Sequence, residues 1–120
     1  MRIRENGREN SIVPLISRTE ELILLAVCNL GDNAYGVTIR DFLRTEAGQK
    51  LSIGGVYVPL DRLVRKGLLK TRQGKPTPQR GGMSKRFYLI TAKGVRALNE
   101  AKRVHDLLWE NAPTISFVMG

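Results

Sequence analysis

The sequence has one cysteine, one histidine and no long apolar run. Cys28 cannot form a disulfide within the chain, which fits a reducing compartment and predicts a cytoplasmic protein. His105 has no second histidine and no neighbouring cysteine with which to bind a metal ion, so we expect no metal and no other cofactor. No apolar run approaches the ~20 residues that a membrane span requires, so we expect no contact with a membrane.

The groupings of residues that enzymes use are also missing. Cys28 and His105 both fall in apolar helical segments, where they are not expected to act as a nucleophile and its base. The pairs Gly54–Gly55 and Gly81–Gly82 lack the spacing of a phosphate-binding loop. Met1–Arg4 is charged without an apolar core and is not expected to be a signal peptide. A length of 120 residues predicts one domain, and we expect no enzymatic activity.

Acidic residues are almost absent from one part of the chain. Between Lys50 and Arg86 there are ten basic residues and a single acid, Asp61, whereas the remainder has ten bases and ten acids. The whole formal charge of +9 therefore lies in this stretch. Such clustering indicates a surface for a polyanion, although a solvated basic face that keeps the protein soluble would give the same count.

Three helices are predicted in the first half of the chain, after a flexible N-terminal arm over residues 1–14. Thr19 is expected to cap the first helix. Its run Leu22–Cys28 is apolar on all sides, which predicts that the helix is buried on more than one face. Cys28 lies in this run and is predicted to be a small core residue. Gly31 is expected to end this helix, and the spacing of apolar residues predicts a second helix over Val37–Thr45.

The third helix is predicted from Ser52 or Gly54 to Lys66, with one apolar stripe. Pro59 is awkward in its interior, which predicts either a start nearer Val58 or a bend. Gly67 is expected to end the helix.

A β-hairpin and a long last helix complete the predicted domain. The strands are Gly67–Gln73 and Lys85–Thr91, joined by a Gly- and Pro-rich loop, Gly74–Gly82, that is too long for a tight turn. Thr91 is expected to cap the last helix, which runs to Ala112. Its apolar positions alternate at three- and four-residue spacing, as in a coiled coil, so the helix needs a partner. These positions are Leu98, Ala101, His105, Leu108 and Ala112.

This order of elements resembles the PadR-like winged-helix transcriptional regulators, in the short form that ends in a single dimerisation helix. The resemblance covers about Thr19 to Ala112. Gly55 stands where the family usually has Ser or Thr, and Pro59 stands one residue later than the usual proline. The residues that carry the resemblance are Tyr35–Gly36, Ser52–Tyr57, Leu60–Leu63, Gly67–Leu69, and Arg86–Thr91 with Gly94.

The fold class implied is mainly α with a small β-hairpin (α+β). A winged helix-turn-helix domain would span residues 15–91, a C-terminal dimerisation helix residues 92–112 and a tail residues 113–120. The family implies a homodimer that binds double-stranded DNA, usually as a repressor, and some members release DNA when a small planar ligand enters the dimer interface.

A recognition helix enters the major groove by its N-terminal end. Ser52, Gly54 and Gly55 are therefore predicted to lie closest to DNA. Tyr57 either gives its hydroxyl group to a phosphate or is a half-buried core residue. Tyr35 is predicted as a candidate DNA contact, although packing at the start of the second helix is the favoured alternative.

Five basic residues complete the predicted DNA-binding set. Arg62 and Lys66 are candidates for phosphate contacts, and Arg62 has the alternative of pairing with Asp61 or an outer acid. Arg80 and Lys85 on the wing would reach the minor groove or its phosphates. Arg86 opens the second strand and has a structural alternative.

Seven residues are predicted to line the subunit interface or a ligand site. Trp109 would either pack plainly in this interface or line a cavity for a planar aromatic effector. Two rival functions remain open, a winged-helix module that contacts an acidic protein and a nonspecific nucleic-acid binder. The seven residues are Leu22, Leu25, Leu98, Ala101, His105, Leu108 and Trp109.

Overall fold

The computed structural model describes residues 13–75 and 85–112. The predicted fold class, mainly α with a small hairpin, is confirmed. Arg80 and the predicted tail lie outside the described residues, as does the predicted arm up to residue 12. In chain order the elements are α1 (Arg18–Leu30), a 3-10 turn (Gly31–Asn33), α2 (Gly36–Ala47), α3 (Ile53–Arg65), β1 (Leu69–Gln73), β2 (Arg86–Ile90) and α4 (Ala92–Asn111).

Helix α1 begins with a reciprocal pair of hydrogen bonds. The Glu20 backbone N–H donates to Ser17 Oγ at 3.1 Å, and the Ser17 backbone N–H donates to Glu20 Oε1 at 2.8 Å. This capping box satisfies two backbone donors that a helix start leaves free. The prediction of Thr19 as the cap was therefore wrong, because Ser17 and Glu20 together form the stronger signal. Gly31 ends the helix as predicted, with φ 58°.

Only one face of α1 is buried in the chain. Ile23, Leu24, Ala26 and Val27 belong to the core, whereas Leu25 is 43% exposed. Cys28 is also exposed, so its prediction as a core residue was wrong. The reason is geometric, since α2, α3, β2 and α4 all contact one side of α1 and leave the side with Leu25 and Cys28 uncovered.

Helix α3 runs through its proline without interruption. It starts at Ile53, where Ser52 Oγ accepts a hydrogen bond from the Gly55 backbone N–H at 2.9 Å. Pro59 is buried in the interior of the helix, so the alternative start near Val58 was wrong. A proline there leaves one carbonyl of the first turn without its helical donor. The neighbouring helices that bury Pro59 stabilise the helical conformation despite this loss.

The end of α3 is closed by glycine, as predicted. Gly67 has φ 78°, and its backbone N–H donates to the Val64 carbonyl at 3.0 Å. The next N–H, from Leu68, donates to the Leu63 carbonyl at 2.9 Å. This Schellman motif turns the chain directly from α3 into strand β1.

Strands β1 and β2 form an antiparallel pair with Leu69 opposite Ile90 and Gln73 opposite Arg86. The hairpin is joined to the start of α2, because the Tyr88 backbone N–H donates to the Ala34 carbonyl at 2.9 Å. Both strands are shorter than predicted, and their outermost predicted residues form turns and caps instead.

Helix α4 contacts the domain through its first turns only. Thr91 caps it as predicted, accepting from the Gly94 backbone N–H at 3.0 Å. Gly94 and Ala97 are buried against the hairpin and α1, and the residues from Lys102 to Asn111 are all exposed in the single chain. Half of the helix therefore extends away from the core.

Gly94 gives a test of this junction. A Cβ atom at this position would overlap the Leu68 carbonyl oxygen and lie 2.7 Å from Ile90 Cγ1. We expect Gly94→Ala to lower the free energy of unfolding by about 1–3 kcal/mol through overpacking. The matched control is Gly54→Ala in α3, where nothing lies within 4 Å of the added atom. The control should be neutral or stabilising by up to about 1 kcal/mol. Urea unfolding of both variants measures this, and equal stabilities would contradict the packing described.

Candidate nucleic-acid interface

The N-terminal end of α3 is open to solvent. Ser52, Ile53 and Gly54 are exposed, and Gly55 is half-buried beneath the Ser52 side chain. Nothing lies within 4 Å of the position that a side chain on Gly54 would occupy. The free N–H groups and the positive end of the helix dipole are therefore accessible to an anion or to base edges.

Tyr57 lies one turn further along α3 and contacts α2. It is 40% exposed, and its ring rests on Gly36, where any Cβ atom would overlap the phenol oxygen. Position 36 must therefore be glycine, because the Tyr57 ring lies too close for any side chain there. The Tyr57 ring therefore packs between the helices while part of it stays accessible, and its contact with a phosphate stays a prediction.

Four side chains stack where the two strands lead into the hairpin loop, with the cations on the outside and the aromatic rings inside. The Lys85 amine lies 4.4 Å from the centre of the Tyr35 ring and 3.3 Å from its hydroxyl oxygen. The Tyr35 and Phe87 rings meet edge to face at 5.5 Å. The Arg72 guanidinium lies 4.4 Å from the centre of the Phe87 ring. Each cation–π contact is worth roughly 0.5–1 kcal/mol at an exposed site.

This stack joins the hairpin to the start of α2. Tyr35 and Phe87 also form an isolated β-bridge, and Arg72 donates to the Asp32 carbonyl at 3.2 Å. Tyr35 is therefore a packing residue, the alternative that the sequence favoured. Lys85 is oriented by Tyr35, and Arg86 is exposed beside it.

A buried carboxylate joins α1 to α3. Glu20 is only 2% exposed, and its Oε2 accepts from Arg62 Nε at 2.9 Å and from Lys66 Nζ at 2.9 Å. Lys66 Nζ also reaches Oε1 at 3.1 Å. Burial raises the pKa of Glu20, but the hydrogen bonds from Ser17, Lys66 and Arg62 outweigh it together and lower the pKa to about 2.

The Glu20 contacts involve two of the predicted DNA-binding residues. The Arg62 and Lys66 side chains pair with Glu20 and stay partly exposed, at 42% and 31%. Arg62 therefore has a carboxylate partner, but that partner is the buried Glu20 and not Asp61 or an outer acid. The role of Glu20 was missed, although the Ser17–Glu20 capping box in the sequence would have placed Glu20 on the first turn of α1.

The predicted subunit interface divides into two groups. Leu22 and Leu98 are partly buried against the core of their own chain. Leu108 and Trp109 are each 64% exposed, and the His105 and Trp109 rings lie 6.3 Å apart on the same side of α4. Ala101 lies in between, where α4 and residues 13–16 border an apolar groove of about 360 Å³.

Neither a metal site nor a membrane span is found in the described part of the chain. Within residues 13–75 and 85–112, no three His, Cys, Asp or Glu side chains are grouped so that they could hold a metal ion. The helices in these ranges are all too short or too polar to cross a bilayer.

Three packed helices followed by a two-stranded wing and a long helix define a winged helix-turn-helix protein. Residues 24–100 match the sequence model of the Transcriptional regulator PadR-like family. Because this match spans more than half of the chain, the chain belongs to the PadR-like family. It is accordingly a transcriptional regulator and not an enzyme.

Several solved structures share this fold. A transcriptional regulator from Clostridium thermocellum is 19% identical with a TM-score of 0.66, over 90% of this chain and 92% of that one. A PadR family transcription regulator from Clostridium difficile is 23% identical with a TM-score of 0.67, over 87% and 100%. A PadR-like transcriptional regulator from Bacillus cereus is 22% identical with a TM-score of 0.64, over 83% and 89%. Comparison with curated proteins finds no significant match.

The Glu20 cluster predicts a dependence of stability on pH. The pKa of Glu20 is about 2 in the folded chain and 4.5 in the reference state, so the ionised carboxylate favours folding. Its contribution is complete above about pH 4.5 and is lost as the pH falls toward 2. At pH 7, Glu20→Gln should lower the free energy of unfolding by about 1.5–3 kcal/mol, the range for hydrogen bonds to charged groups.

Thermal unfolding of the wild type and Glu20→Gln between pH 2 and pH 7 measures this contribution. The two melting curves should converge as the pH approaches 2. Glu21→Gln removes a carboxylate from the same helical turn and should stay close to the wild type throughout. A Glu20→Gln deficit that is equally large at pH 2 and pH 7 would contradict the assignment.

Proposed function

We propose that this regulator is a cytoplasmic homodimer that recognises an inverted-repeat operator in double-stranded DNA and acts as a repressor. The observation that carries the proposal is the open N-terminal end of α3, at the start of the chain's strongly basic stretch. A helix in this position enters the major groove by its first turns.

The proposed DNA contacts fall into two groups. Ser52, Gly54 and Gly55 approach base edges or phosphates from the start of α3, and Tyr57 directs its hydroxyl group toward a phosphate. On the wing, Arg80, Lys85 and Arg86 reach the neighbouring minor groove or its phosphates. Arg62 and Lys66 are left out of this set, because Glu20 already binds both.

The proposed dimer rests on the exposed apolar side of α4. Leu107 is 47% exposed, and Leu108 and Trp109 are 64% exposed, so three large apolar side chains lie in solvent along one part of a helix. Leu25 adds a fourth on α1. Large apolar side chains exposed in this way are typical of an interface, and a second copy would cover them about a two-fold axis.

We assign Trp109 to packing in this interface and not to an aromatic effector. Among the described residues its ring lies against His105 on the open side of α4, without an enclosed space around it. The two-fold arrangement would place two α3 helices on one side of the duplex, with their centres about 34–36 Å apart or a multiple of that distance.

Selection of duplexes from a random pool tests the proposed function. A sequence-specific dimer should enrich an inverted repeat. A nonspecific nucleic-acid binder would retain DNA without enrichment, and a module for an acidic protein partner would retain none. Either of these two outcomes would refute the proposal.

The wing assignment predicts a change in salt dependence. The double variant Arg80→Ala, Lys85→Ala should weaken binding to all duplexes by a similar factor. It should also reduce the slope of log affinity against log salt by about 0.9 for each phosphate contact removed. Titrations at several salt concentrations measure the slope. A slope equal to that of the wild type would show that these two residues do not contact phosphates.

The proposed dimer predicts that a charge placed between the two α4 helices will disrupt it. Leu108→Glu would bury an unpaired carboxylate where the two α4 helices meet, which is costly. The variant should sediment as a monomer and lose sequence preference while keeping weak, salt-sensitive binding. Asn99→Glu adds the same charge at an exposed polar position of α4 and should stay dimeric. A folded Leu108→Glu protein that remains a dimer and binds the selected duplex normally would show that the interface lies elsewhere.

A further inference from the structure

A basic groove lies at the turn between α2 and α3. It has a volume of about 380 Å³, and its lining consists of Arg40, Arg44, Lys50 and Leu51. Three of these four residues are cations, and none is an acid. Only Lys50 belongs to the basic stretch Lys50–Arg86. The two arginines lie on α2, before this stretch begins.

The local fold explains why these cations come together. Gly48 ends α2 in the left-handed conformation, with φ 63°, and its backbone N–H donates to the Arg44 carbonyl at 3.1 Å. The next N–H, from Gln49, donates to the Leu43 carbonyl at 3.0 Å. This tight reversal returns the chain toward α2, so that Lys50 lies across the groove from Arg44. Leu51 is half-buried beside them and packs against the core.

The excess positive charge of the groove is only partly compensated. Asp41 is the acid on α2 that contacts the two arginines, and its Oδ1 lies 3.3 Å from Arg40 Nη2 and 3.4 Å from Arg44 Nη1. These distances are longer than those of strong charge-assisted hydrogen bonds, and the Arg44 side chain is 51% exposed. Three cations against one carboxylate leave a net positive concavity that is accessible to an anion.

The position of the groove identifies the anion. In a helix-turn-helix protein the first helix crosses the DNA backbone while the second enters the major groove. Here these helices are α2 and α3, and Lys50 lies two residues before the Ser52 cap of α3. A groove at this turn therefore faces the sugar–phosphate backbone that borders the major groove.

We propose that this groove holds a backbone phosphate of the operator, with Arg44 and Lys50 as contact residues and Arg40 as a supporting cation. The inference rests on the proposed function and adds to it a contact on the α2 side of the recognition helix, opposite the wing. Backbone contacts of this kind position the protein on DNA and carry no sequence information directly.

The test is the salt dependence of DNA binding by Arg44→Ala, Lys50→Ala. The proteins are the full-length wild type and variants, and the probes are a duplex selected from a random pool and an unrelated duplex of equal length. The double variant should reduce the slope of log affinity against log salt by about 1.8 for two lost contacts. Affinity for both duplexes should fall by the same factor, so that the preference for the selected duplex is unchanged.

The matched control is Arg96→Ala, Arg103→Ala, which removes the same charge from two exposed positions of α4. Its slope should equal that of the wild type. Lys50→Glu is a second probe at an exposed residue outside any helix, and it should weaken binding more than Lys50→Ala does. Circular dichroism should show the wild-type helix content in every variant.

Three results would overturn the inference. A groove variant with the same slope as the control would show that no phosphate is held there. A loss confined to the selected duplex would show that these residues contact bases instead. If the wild type binds no duplex at all, the proposed function fails first and this contact fails with it.

Discussion

The carboxylate of Glu20 is the contact on which the arrangement of α1 and α3 depends. It is buried at the first turn of α1 and accepts hydrogen bonds from Arg62 and Lys66 near the end of α3. Through the capping box with Ser17, the same side chain also fixes where α1 begins. One residue thus sets the start of the first helix and the orientation of the third.

This arrangement has a consequence for the charge of the surface. A buried carboxylate without partners would be strongly unfavourable, and the Ser17 N–H, Lys66 and Arg62 together keep Glu20 ionised. Two of the ten cations in the basic stretch therefore pair with Glu20 and stabilise the fold. Among the described residues, the exposed cations of this stretch lie before α3 at Lys50, at its last turn at Arg65, and mostly on the hairpin, so the hairpin carries most of the positive potential.

The hairpin depends on a second set of contacts. Tyr35 and Phe87 join it to the start of α2, and Gly74 approaches so closely that a Cβ atom there would lie 2.6 Å from Phe87 Cε2. The wing and α3 thus both pack against the pair formed by α1 and α2, and Lys85 is held by its contact with Tyr35.

The elements themselves could be predicted from the sequence because they depend on local rules. The apolar stripe of α3, the caps at Thr91 and Gly67 and the glycine stop at Gly31 all follow from spacing and backbone chemistry. Local rules gave the wrong helix start at Pro59. A proline inside a helix is intrinsically unfavourable, but its burial in the folded chain outweighs this cost.

The contacts between distant residues could not be predicted in this way. Glu20 and Arg62 are separated by 42 positions, and no pattern in the sequence links them. The exposed side of Cys28 was missed for the same reason, since an all-apolar run does not show which face the other helices cover. The groove formed by Arg44 and Lys50 likewise depends on the reversal of the chain at Gly48.

The central claim, that the N-terminal end of α3 enters the major groove, can be tested by directed cleavage of DNA. Cys28 is the one cysteine in the chain, so Cys28→Ser combined with Gly54→Cys gives a single attachment point for an iron chelate. Gly54 has open space around it, so the new side chain should be tolerated. The account predicts cuts in the major groove within each half-site, with their centres about one helical turn apart or a multiple of it. Cuts spread evenly along the duplex, or confined to DNA outside the half-sites, would contradict it.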